Sequence, residues 1–149
     1  MKALVISRDT LIKYIKPESH KVLISISTPT VPYDSAIPTG WLETLELSFL
    51  DVIWDDLNKE QQELYGMWGD KLKLFDETAA KHLVEFIDKH STRDFVIHCD
   101  AGISRSVAVG AFMRDFYGYS IEFAEIGTDK YKNIQVYNTL RRIRYGIQE

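Results

Sequence analysis

Cysteine is nearly absent from this 149-residue chain, where Cys99 stands alone. One thiol cannot close an intrachain disulfide, and a cysteine-based zinc cluster would lack ligands. That points to a reducing, cytoplasmic compartment. Glycine and proline are also sparse, at eight and four residues, which excludes collagen-like and low-complexity architectures. No apolar run approaches the ~18 residues that a membrane span requires, and Met1–Ser7 is too short for a signal-peptide core. Positive charge is not in excess either. Eighteen Lys and Arg against 22 Asp and Glu leave a formal net charge of −4, no footprint for specific nucleic-acid binding. His20, His82 and His90 are scattered and show no metal-ligand spacing.

What is present is globular. Hydrophobic residues make up 45% and charged residues 27%, over a length that suits one domain, 1–149. Seven acids lie between Glu43 and Glu63 against the single base Lys59, and five bases between Lys130 and Arg144 face no acid. Both blocks read first as solvated faces. All four prolines fall between Pro17 and Pro38, which stiffens the early loops and leaves the later chain free to be helical.

Short apolar runs alternate with amphipathic segments, the pattern of an α/β fold with a compact, mostly parallel central sheet flanked by helices. Strands are expected at Ala3–Ile6, Val22–Ile26, Leu45–Leu50 and Phe95–His98. Helices are expected over Thr10–Ile15, from an Asp76 cap to about Lys89, over Ser104–Tyr117 with Gly118 as its stop, and over Asn133–Tyr145. Leu57–Tyr65 reads as a candidate surface helix. The run Val107–Met113 is apolar all round, so its helix should be buried.

The segment that carries chemistry is His98-Cys99-Asp100-Ala101-Gly102-Ile103-Ser104-Arg105-Ser106. A cysteine ends an expected strand, five residues follow, and an arginine opens an expected helix. Backbone N–H groups of such a turn converge, and the helix dipole adds partial positive charge, which together make an oxyanion cradle. Arg105 offers a planar fork for two phosphoryl oxygens. Gly102 gives the backbone the freedom that a tight concave loop needs. The same field favours the thiolate of Cys99, a nucleophile aimed at phosphorus. A lone buried cysteine would otherwise read as an inert core residue.

His98-Cys99, Gly102 and Arg105-Ser106 together resemble the signature of the cysteine-dependent protein tyrosine phosphatase superfamily. The position of Cys99, two-thirds along the chain, resembles the dual-specificity branch. The order of strands, helix, signature loop, buried helix and C-terminal helices is similar over most of the chain. Rhodanese-like and arsenate-reductase-like proteins also place a cysteine in an anion-binding loop. The His-Cys start and Arg-Ser end favour the phosphatases, and the missing second cysteine argues against a thiol-cascade reductase.

The resemblance implies a phosphatase acting on phosphomonoesters through a phosphocysteine intermediate. Its substrates would be protein phosphotyrosine, alone or with phosphoserine and phosphothreonine. Cys99 resembles the nucleophile, and Arg105 the residue that holds the phosphate. Ser106 resembles the hydroxyl that stabilises the departing thiolate, and His98 the neighbour that orders the loop. The amides of Asp100, Ala101, Gly102, Ile103, Ser104 and Arg105 would form the cradle. No metal or cofactor is implied. Two alternatives stay open: a phosphatase for a nucleotide, phosphoinositide or other small phosphate ester, and a non-catalytic phosphate-binding module.

Departure of the leaving group needs a proton donor on a separate loop. Asp51 follows the strand Leu45–Leu50 and resembles the strand-end aspartate of compact dual-specificity enzymes. Trp54-Asp55-Asp56 resembles, with Asp for Pro, the tryptophan–proline–aspartate loop of larger tyrosine phosphatases, and Trp68-Gly69-Asp70 mimics the same loop. Asp51 is the favoured acid, with Asp56 and then Asp70 behind it. Asp76 is better explained as a helix cap.

Overall fold

The computed structural model describes residues 1–68 and 74–146. In chain order the elements are β1 (Lys2–Ser7), α1 (Arg8–Tyr14), β2 (Val22–Ser27), β3 (Glu43–Ser48) and a 3-10 turn (Trp54–Asp56). Then come α2 (Lys59–Trp68), α3 (Glu77–Lys89), β4 (Phe95–Cys99), α4 (Arg105–Tyr117), β5 (Ser120–Phe123) and α5 (Ile134–Tyr145). The five strands form one sheet in the order β3-β2-β4-β1-β5, and every pairing is parallel. This is the expected α/β fold.

Alternation along the central strands sorts side chains to two faces. Val5, Ile24 and Ile97 join the larger core, together with Leu83 and Ile87 of α3, Val109 and Phe112 of α4, and Leu140 of α5. Ile6, Leu23 and Val96 point the other way, onto Leu11 of α1 and Trp41. The caps follow the sequence closely. The Asp76 side chain accepts from the Ala79 N–H at 2.9 Å, and Asn133 accepts from the Val136 N–H at 3.1 Å. Gly118, at φ 73°, takes the left-handed position that ends α4.

Some boundaries and one strand differ from expectation. β3 covers Glu43–Ser48 rather than Leu45–Leu50, because Glu43 and Thr44 pair with Val22 and Leu23 of β2. α1 starts at Arg8 rather than Thr10, because the Ser7 hydroxyl accepts from the Thr10 N–H and caps it. The short edge strand β5 was not expected; four residues with two half-buried side chains carry little signal. Among the described residues no helix is long and apolar enough to cross a membrane.

The strand order positions the site. β1 leads leftward to β2 through α1, whereas its neighbour β4 leads rightward to β5 through α4. Connections that leave adjacent parallel strands in opposite directions open a crevice at their carboxyl ends, where α/β folds bind ligands. The residues paired at that end are Ser7 and Cys99.

Candidate active site

Cys99 closes β4 and is 2% exposed. Its Sγ receives the Gly102 N–H at 3.2 Å and lies 3.1 Å from the Ser106 Oγ. The sulfur thus accepts from one backbone amide and lies within hydrogen-bond reach of one hydroxyl. The loop reaches this shape through Gly102, whose φ is 72°. A Cβ there would stand 2.6 Å from the Ile6 carbonyl carbon and the Ser7 nitrogen, and 2.8 Å from the Glu125 Cγ. Backbone cannot move aside as a flexible side chain can. Gly102→Ala is therefore expected to destabilise the fold by about 1–3 kcal/mol and to loosen the loop. A lower denaturation midpoint, with less stabilisation by added phosphate than in the wild type, is the outcome to look for.

The outer side of the loop is held as well. Glu125 accepts from the Ser7 N–H at 2.9 Å and from the Thr10 hydroxyl at 2.8 Å, and the Arg8 N–H donates to the Asp100 carbonyl at 3.2 Å. α4 then starts with an open end. Ser104 occupies the N-cap position but makes no side-chain cap, because its hydroxyl donates to Asp51 Oδ1 at 2.7 Å. The first-turn amides of α4 thus lack the side-chain acceptor that a helix start usually carries.

Arg105 is 4% exposed, and its guanidinium reaches the carboxyl ends of β2 and β3. One terminal nitrogen donates to the Phe49 carbonyl at 2.8 Å and the Ser27 carbonyl at 3.3 Å. The other donates to Asp100 Oδ2 at 3.2 Å. Among the described residues its Nε is buried without any acceptor. A buried, unpartnered charged donor is costly, and a bound oxyanion would satisfy it.

His98 lies entirely inside. Its Nδ1 is 3.1 Å from the Cys99 carbonyl and its Nε2 is 2.7 Å from the Ser25 hydroxyl. A carbonyl only accepts, so Nδ1 carries the proton, and Nε2 of the neutral ring accepts from Ser25. Burial pushes the His98 imidazole down to about 4. In the unfolded chain it would titrate near its ordinary value of 6.5, so between those values the unfolded state binds more protons. Stability from this group is therefore complete above pH ~6.5 and falls as pH drops towards 4, by about 3 kcal/mol in all. Thermal melts between pH 7 and 4.5 should show this loss, and His98→Asn should flatten it.

Of the three candidate acids, the structure brings Asp51 to the loop. Its Oδ1 accepts from the Ser104 hydroxyl and, at 2.8 Å, from the Asn133 side-chain amide. Among the described residues its Oδ2 takes no hydrogen bond. Asp56 is exposed in the 3-10 turn and makes no side-chain hydrogen bond to the loop among the described residues. Asp70 lies outside the described residues. The Trp54 N–H at the start of that turn donates to the Gln135 side chain at 2.5 Å. α5 thereby holds the segment that follows Asp51.

Four residues near the loop escaped sequence reasoning. Asn133, 1% exposed, caps α5, grips Asp51 and donates its backbone N–H to the Ser104 carbonyl at 3.1 Å. Ser25 holds His98. Thr28 and Tyr33 donate to Asp100 at 2.5 and 2.7 Å. Only Asn133 carried a usable signal, since an asparagine that opens an expected helix is a residue type that caps helices. Among the described residues no group of three His, Cys, Asp or Glu side chains could hold a metal ion. No protein-family model matches this chain, and neither does any curated protein or solved structure.

Proposed function

We propose that the chain is a phosphatase that hydrolyses phosphomonoesters through a phosphocysteine intermediate. Its substrate class is protein phosphotyrosine, alone or with phosphoserine and phosphothreonine. The observation that carries this reading is one turn of chain. It holds Cys99 Sγ against the Gly102 N–H and the Ser106 hydroxyl, under an arginine with an unsatisfied buried N–H.

In the first step the Cys99 thiolate attacks phosphorus, the S–P bond forms and the ester P–O bond breaks. Protonated Asp51 gives its proton to the leaving oxygen. Arg105 and the loop amides carry the charge that accumulates on the equatorial oxygens. In the second step water attacks the phosphocysteine and gives a proton to the Asp51 carboxylate. The S–P bond breaks, inorganic phosphate leaves, and Ser106 donates to the returning thiolate.

A panel of phosphotyrosine peptide, phosphothreonine peptide, a nucleotide and an inositol phosphate separates this reading from its rivals. Turnover is expected on the phosphotyrosine peptide above the small esters. Preferred turnover of the nucleotide or inositol phosphate would move the substrate class. Binding of phosphate without turnover of any of the four would leave a recognition module.

A further inference from the structure

The residue after the nucleophile is an acid, and its placement is unusual for an anion site. The Asp100 carboxylate is fixed by three donors: the Thr28 hydroxyl, the Tyr33 hydroxyl and the Arg105 guanidinium. Its side chain remains 36% exposed, so it faces outward as well as towards the arginine. It also lines a cleft of about 390 Å³ beside the loop, with Arg8, Lys13, Tyr33 and Asp34.

We propose that Asp100 is a specificity-determining residue that makes the site select a single phosphoryl group on a neutral or basic polypeptide segment, against polyphosphorylated or acidic carriers. This rests on the phosphatase reading above and narrows its substrate. Two observations carry it. First, Asp100 already occupies one terminal N–H of Arg105, so an incoming phosphoryl group must share or displace that contact. A single phosphoryl group directly over the loop is held by the amides and by the free Nε, whereas further negative charge beside it meets the Asp100 carboxylate.

Second, the cleft offers no surplus of positive charge for a second phosphate. Lys13 is paired with Asp9 at 3.1 Å. The Arg8 guanidinium lies 3.9 Å over the Tyr33 ring and donates to the Ser35 carbonyl at 2.6 Å. Asp34 and Asp100 offset what charge is left. A substrate flanked by Lys or Arg is attracted to such a mouth and an acidic one is repelled, over distances where salt screens only part of the effect.

The test uses phosphotyrosine peptides of one length with basic, neutral or acidic flanks, together with an inositol bisphosphate. The wild type is expected to prefer basic over acidic flanks by about tenfold in kcat/KM, mainly through KM, and the preference should shrink as ionic strength rises. In Asp100→Asn the preference should narrow, and inorganic phosphate should inhibit severalfold more tightly. A residue that only braced the loop would weaken phosphate binding when changed, not strengthen it. Equal turnover of basic and acidic peptides by the wild type would overturn the proposal and leave the phosphatase reading standing. So would a preference for the bisphosphate. Absence of turnover on every peptide and on the bisphosphate would overturn both. The wild-type arms decide the question even if Asp100→Asn fails to fold.

Discussion

Cys99→Ser should reduce turnover by roughly 10⁴-fold or more while phosphate and vanadate still bind. The two halves of that outcome separate because different atoms perform them. In the proposed reading anion binding rests on the loop amides, the first turn of α4 and Arg105, none of which the substitution removes. The covalent step needs a nucleophile that is charged at neutral pH, and a serine hydroxyl here has no base beside it. His98 cannot serve, since its Nε2 is engaged by Ser25 and its Nδ1 by the Cys99 carbonyl. Calorimetric titration with vanadate, alongside steady-state rates on an aryl phosphate, reads both halves. Loss of anion binding together with turnover would mean that the thiol organises the loop instead of reacting. Arg105→Lys should be damaged differently. A point charge cannot donate to the Phe49 carbonyl and an oxyanion in one plane, so binding and rate should fall together.

Asp51→Asn should lower kcat by roughly 10²–10⁴ for substrates with poor leaving groups and far less for an activated aryl phosphate. An amide keeps the hydrogen bonds from Ser104 and Asn133 through its own oxygen, so the loop geometry survives and only the transferable proton is lost. The dependence of rate on leaving-group acidity is the measurement to make. A steep dependence appearing in Asp56→Asn but not in Asp51→Asn would transfer the acid to the 3-10 turn.

The sheet was legible because its central strands are short apolar runs bounded by turn residues, as in Val22–Ile26 and Phe95–His98. The cap at Asp76 and the stop at Gly118 are local chemistry, readable from a few neighbours. The loop from Cys99 to Arg105 was legible for the same reason: all its parts are contiguous. The surroundings were not. Ser25 meets His98 only because β2 pairs with β4 in a register that sets those two residues side by side. Thr28 and Tyr33 reach Asp100 from the loop after that strand, across more than 60 residues of chain. Asp51 meets the loop through Ser104 and through Asn133 at the start of α5, and no periodicity in the sequence encodes that. The sequence offers Asp100 only as a backbone amide, whereas the fold also brings Thr28, Tyr33 and Arg105 to its side chain.

The most direct test of the central claim is to trap the intermediate. Wild type and Cys99→Ser would be mixed with an activated aryl phosphate, quenched in acid within milliseconds, digested and mapped by mass. The account predicts one phosphoryl group on the peptide that contains Cys99 in the wild type, and none in the variant. A burst of aryl alcohol equal to the enzyme concentration should accompany it when hydrolysis is slower than phosphorylation. Turnover with no phosphoryl group on Cys99 at any quench time, or full turnover by Cys99→Ser, would contradict it.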